Sequence, residues 1–132
     1  MKLVAVESPY QSDDGNPIEK IEYARACMNY CLHRGVAPFA SHLLYTQPGV
    51  LDDQDAEERA LGMEAGFLWA NHADARWVFT DLGISNGMRE GLHKAEVLGQ
   101  PVCHFTLGDD WRERWLGPTK GRAFGRCPNG NG

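Results

Sequence analysis

The chain alternates between short, nearly apolar runs and longer stretches in which apolar residues recur every three or four positions. "KLVAVE" (2–7) is almost wholly apolar, as expected of a strand covered on both faces of a parallel sheet. After Pro17, the residues Ile18, Ile21, Ala24, Met28 and Cys31 fall on one helical face. Asn16 with Glu19 three residues later reads as a capping box, and "HRG" (33–35) closes the helix. "VAPFAS" (36–41) predicts a second strand, which Pro38 places at an edge or near a strand end. "HLLYTQPGVLD" (42–52) predicts a long loop. Asp52 or Asp53 is expected to cap a helix over 54–72 with Ala56, Ala60, Met63 and Phe67 inward. "ARWVFTDLG" (75–83) predicts a third strand. Residues 86–98 predict a third helix, with Met88, Leu92, Ala95 and Leu98 on one face. "QPVCHFTLG" (100–108) predicts a fourth strand, and "DDWRERWLG" (109–117) a short helix or turn.

The order β-α-β-α-β-α-β predicts an α/β fold: a single-domain flavodoxin- or Rossmann-like parallel sheet with helices on both faces, over residues 1–117. The glycine-rich, basic stretch 118–132 is expected to be a loosely ordered tail. A length of 132 residues suits one such domain with a core of its own.

Composition narrows the partners. The net charge of −5 argues against a nucleic acid polymer held along a broad surface. No apolar run approaches the ~20 residues that span a bilayer, so no membrane partner is expected. "MKLVAVESPY" suits a buried first strand better than a signal peptide. The cysteines, Cys27, Cys31, Cys103 and Cys127, include no CxxC pair, and reduced thiols in a cytoplasmic protein are expected. Cys31, His33, Cys103 and His104 are irregularly spaced, and neither a metal nor another cofactor is expected. Phe67, Leu68 and Trp69 in succession exceed one buried stripe, and Trp111 and Trp115 share a face of the last helix. Both surpluses predict a homo-oligomer.

In parallel sheets of this kind ligands bind beyond the carboxyl ends of the strands. Three polar segments meet there: "ESPY" after the first strand, "SHLLYTQ" after the second and "TDLGISNGM" after the third. Their convergence predicts a small-molecule site. In the third segment Asp81 ends the strand, Gly83 and Gly87 permit tight turns, and Ser85 or Asn86 caps the helix. N–H groups near Gly87 and Met88 would face an anion. Ser8, Pro9, Tyr10, His42 and Tyr45 come to the same edge and complete the candidate ligand-binding set. Glu7 ends the first strand, where it faces either the crevice or an arginine or solvent. Asp81 and Glu90 are the acidic residues of the third strand edge and the first turns of its helix, and are the candidate catalytic pair.

Asp81-x-x-x-Ser85-x-Gly87-Met88, with Ala95 and Gly99-x-Pro101-Val102, resembles the nucleoside 2-deoxyribosyltransferase-like superfamily, including its small phage and bacterial members. "ESPY" and "GVAPFASHLLYTQ" agree with that resemblance, which covers roughly residues 2 to 107. It implies an oligomeric flavodoxin-like domain acting on a nucleoside or nucleotide at its N-glycosidic bond, by deoxyribosyl transfer or hydrolysis. It also implies a glutamate nucleophile four residues before the helix alanine. That position is Gly91 here, and Glu90 beside it is turned by about 100°. The alternative implication is therefore a non-catalytic pocket that binds or sequesters a nucleotide-like molecule.

Overall fold

The computed structural model describes residues 1–9 and 17–116. Four parallel strands, β1 (Leu3–Glu7), β2 (Ala37–Phe39), β3 (Ala75–Phe79) and β4 (Val102–Phe105), form one sheet in the order β2-β1-β3-β4. β1 and β3 are central and β2 and β4 are edges. Pro38, which has no N–H to give a ladder, sits on an edge strand as expected. The α/β fold predicted from the pattern is the fold observed.

Register divides the sheet into two chemically different faces. Val4, Val6, Trp77 and Phe79 alternate to one side, Ala5, Glu7, Arg76 and Val78 to the other. The first side packs on α1 (Pro17–His33) and α5 (Trp111–Trp115), where Tyr23, Cys27, Cys31 and Val36 join the core. The second side meets α3 (Ala56–Asn71) and α4 (Asn86–Leu98). It carries a fully buried guanidinium, Arg76. One face is thus an apolar core and the other a polar floor.

Trp111 and Trp115 lie within the core. Their rings meet Tyr23 and Tyr30 edge-on, at 5.2 and 4.8 Å between centroids. The face predicted to seek a second subunit is spent inside the chain, since α1 lies beside it. Burying an aromatic ring removes on the order of 200 Å² from water, several kcal/mol at ~25 cal/mol/Å². Trp69, by contrast, is 60% exposed, with its ring 5.7 Å from that of Phe39 and tilted by 36°.

Local boundaries differ from the pattern in three places. The stretch predicted as a loop over 42–52 begins inside a one-turn helix, α2 (Ser41–Leu44), too short to show periodicity. The cap of α3 is Asp55, whose side chain accepts from Glu58 N at 3.1 Å, so the helix starts after the aspartates proposed for it. Gly66 and Ala70 are the buried positions of α3, whereas Ala56 and Ala60 are exposed. Among the described residues, no helix is long and apolar enough to cross a membrane. Asn16, Tyr10 and the tail beyond residue 116 lie outside the described residues.

Candidate functional site

A cleft of about 760 Å³, measured to its open mouth, lies over the carboxyl ends of β1 and β2, between α2, α3 and the start of α4. Phe39, Tyr45, Met63, Phe67 and Met88 give it apolar and aromatic walls. The close approach of α3 depends on Gly66: a Cβ there would stand 2.5 Å from Ser41 Oγ and 2.7 Å from Ser41 Cβ.

Glu7 lines this cleft from the end of β1. Its Oε2 accepts from Arg76 Nη1 at 2.9 Å. The rest of that guanidinium is engaged behind the cleft: Nη2 donates to Asn71 Oδ1 at 2.8 Å and Nε to Gln100 Oε1 at 2.6 Å. Gln100 is itself fixed, its amide nitrogen donating to Ala70 O and Ala73 O at 2.9 Å each. The Glu7 side chain is only 14% exposed. Burial pushes its carboxyl up to about 7, against the pull of the Arg76 charge and hydrogen bond. The carboxylate lies flat on α4 at Gly91, where a Cβ would stand 2.7 Å from Oε2 and 2.9 Å from Cδ and Oε1. Gly91 is buried, and its missing side chain is the space that Glu7 uses.

Beside Glu7, Ser8 Oγ and His42 Nε2 are 3.2 Å apart, both buried and both on the cleft wall. Burial lowers His42 to about 4, so the imidazole is neutral at physiological pH. Toward the mouth, α3 and the loop before it bring Asp53, Glu58 and Arg59. Arg59 Nη1 donates to Asp53 O at 3.4 Å, and Glu58 Oε1 accepts from Asp52 N at 2.6 Å. Burial raises the Asp53 carboxyl, with Arg59 pulling it down and Asp52 adding to the rise.

Of the residues singled out in the sequence, Ser8, His42, Tyr45, Ser85, Gly87 and Met88 come together on the cleft. Pro9 is buried beside it without lining it, and Tyr10 lies outside the described residues. Gly83, at φ +92°, makes the turn after β3 but is exposed, as is Asn86. Ser85 is the cap of α4, and its hydroxyl takes the Met88 N–H at 3.2 Å, so that group is not open to an anion.

The structure does not bring Asp81 and Glu90 into the cleft lining. Asp81 faces the other side of the sheet edge, where it ties the chain together. It accepts from Tyr23 Oη at 2.5 Å, from Leu107 N at 2.8 Å and from Gly108 N at 3.0 Å. Glu90 is exposed on the outer surface of α4, one position from Gly91. Among the residues that sequence reasoning left out as cleft walls are Asp53, Glu58, Arg59, Met63 and Phe67. A signal for them existed: Gly62, Gly66 and Ala70, four apart, mark the close-packed face of α3, and residues 59, 63 and 67 flank that stripe.

Residues 2–105 match the family described as Domain of unknown function (DUF7768). The chain belongs to that family. No curated protein matches it. Among solved structures it is similar to the 2-deoxyribosyltransferase of Bacillus psychrosaccharolyticus, a biocatalyst for the synthesis of antiviral and antitumoral nucleosides. The TM-score is 0.57 and the identity 16%, over 81% of this chain and 74% of that one. The likeness is a distant relationship of fold, at the level of the parallel sheet and its helices.

Proposed function

We propose that this protein takes a nucleoside or nucleotide-like small molecule into the cleft and processes its N-glycosidic bond, by transfer or by hydrolysis. The observation that carries the reading is a buried carboxylate, Glu7, on the floor of a cleft with apolar and aromatic walls. Such walls suit a planar base, whose faces are apolar and whose edges are polar. A carboxylate on the floor suits the sugar carbon at the other end of the bond, where positive charge develops as the base departs. The distant fold relationship to a 2-deoxyribosyltransferase supports the substrate class.

The test is incubation with a panel of deoxynucleosides and their monophosphates, with chromatography for free base and calorimetry for binding. Release of base from at least one member is expected. Tight binding without any release would replace the enzymatic reading with a binding pocket. Neither binding nor release would overturn both.

A further inference from the structure

The cleft is lined by three acidic side chains, Glu7, Asp53 and Glu58, and geometry separates them. Asp53 and Glu58 stand at the mouth. There Glu58 closes the loop onto Asp52 N, and Asp53 lies beside Arg59. Glu7 is the acidic group on the floor. One of its oxygens is held by a guanidinium that is 0% exposed and whose other hydrogen bonds go to the side-chain amides of Asn71 and Gln100. Its other side rests on a residue that has no side chain. Gly91 costs α4 about 1 kcal/mol relative to alanine, so the helix tolerates a weak former at the one point where the carboxylate touches it.

From this arrangement we infer that Glu7 is the catalytic carboxylate of the cleft, supplied by β1 and seated on Gly91, with Arg76 as its positioning residue. The inference rests on the N-glycosidic reading above and adds the acting group and its role. Glu7 acts as a general base. Its ionised carboxylate takes a proton from a water molecule while the water oxygen bonds to the anomeric carbon. The carbon–nitrogen bond breaks, and the base leaves with the bonding electron pair and takes a proton from solvent. Glu7 then returns its proton to solvent, so the sum is hydrolysis to free base and free sugar. Arg76 holds Oε2 and fixes which way the carboxylate faces, which leaves Oε1 for the water. A carboxyl raised toward neutrality by burial is a stronger base than an exposed one and is still ionised at mildly alkaline pH.

The experiment compares wild type, Glu7→Gln and Gly91→Ala for base release and for nucleoside binding. Thermal unfolding serves as the check on folding. Glu7→Gln is expected to lose at least 100-fold in base release with nucleoside Kd changed less than fivefold. Gly91→Ala keeps every charge but pushes a methyl group against the carboxylate, and is expected to lose at least tenfold. It keeps the idea testable if Glu7→Gln does not fold. Wild-type base release should rise with pH through about 7. Arg76→Lys should move that rise by more than half a pH unit, which a merely structural arginine would not do.

Base release by Glu7→Gln at the wild-type rate would overturn the Glu7 assignment and leave the N-glycosidic reading standing. An unchanged rate in Gly91→Ala would do the same. Transfer of the sugar to an added second base would overturn the general-base role in favour of a covalent intermediate. Nucleoside binding with no base release by the wild type would overturn both the inference and the reading it rests on.

Discussion

Glu7 and Arg76 pair at 2.9 Å across β1 and β3, with the guanidinium fully buried and the carboxylate lining the cleft. A buried ion pair is weak evidence of net stabilisation, because desolvating two charges offsets their attraction. Removing one partner is costly nonetheless. Arg76→Met strands Glu7, Asn71 Oδ1 and Gln100 Oε1 without their donor. The expected loss is about 3–5 kcal/mol by urea unfolding at pH 8. At pH 5 the stranded carboxyl is neutral, and the loss should shrink. Equal losses at both pH values would mean that Glu7 and Arg76 are not coupled.

Asp81 gives the opposite prediction for a residue that chemistry alone would have placed in the site. Its carboxylate joins Tyr23 on α1 to the loop after β4 through Leu107 N and Gly108 N. Asp81→Ala leaves a buried phenol and two backbone donors without an acceptor, and each such loss costs on the order of 1–3 kcal/mol. A fall of at least about 3 kcal/mol in stability is expected. Base release per folded molecule, measured well below the lowered Tm, should stay within threefold of wild type. A 100-fold loss of turnover in a folded Asp81→Ala protein would return Asp81 to the catalytic machinery.

His42 and Glu7 make opposite contributions to the pH dependence of folding. His42 drops from 6.5 to about 4 on folding, so between those values the unfolded chain binds the extra proton. Stability from this group is complete above pH 6.5 and is lost as pH falls toward 4. Glu7 rises from 4.5 to about 7, so the folded chain holds the proton over that window. Stability from this group is complete below pH 4.5 and is lost as pH rises to 7. Each is on the order of 3 kcal/mol, and the two slopes offset one another between pH 4.5 and 6.5. Glu7→Gln should therefore show stability rising from pH 4 to 6.5, and His42→Asn stability falling from pH 4.5 to 7. Denaturant titrations across that range check the pair, and two flat profiles would refute it.

The succession of strands and long helices along the chain was legible because apolar runs and three-to-four-residue spacing report local burial directly. The cap of α4 was legible to within one residue, Ser85 or Asn86, because it is decided within one helical turn, and the structure gives it to Ser85. What was not legible depends on contacts far apart in the chain. Three aspartates, Asp52, Asp53 and Asp55, can each cap α3, and only the reach of Asp55 to Glu58 N decides. Spacing puts Trp111 and Trp115 on one face, but not whether that face meets α1 or another molecule. Glu7 could be read as facing either a crevice or an arginine. It does both, through a partner 69 positions away and a glycine on α4. Gly91, read alone, marks a missing carboxylate; beside Glu7 it marks the seat of one.

The charges at the mouth decide between two substrate classes that the walls alone admit. Among the described residues that line the cleft, the acidic and basic side chains are Glu7, His42, Asp53, Glu58 and Arg59. His42 is neutral there, and Arg76 lies behind Glu7 with no exposed surface. That leaves Arg59 as the cation of the lining, already beside Asp53 and Glu58. A 5′-phosphate carries close to two negative charges at neutral pH. At 4–6 Å from a carboxylate, each like-charge contact costs on the order of 1 kcal/mol or more, depending on how far water is excluded. A deoxynucleoside should accordingly be processed at least tenfold better, in kcat/KM, than its 5′-monophosphate. Glu58→Gln keeps an acceptor for Asp52 N while removing one charge, and should narrow that ratio several-fold, most visibly at low ionic strength. A monophosphate preferred over its nucleoside, or a ratio insensitive to Glu58→Gln, would show that Arg59 rather than its acidic neighbours sets the sign of the field a ligand meets.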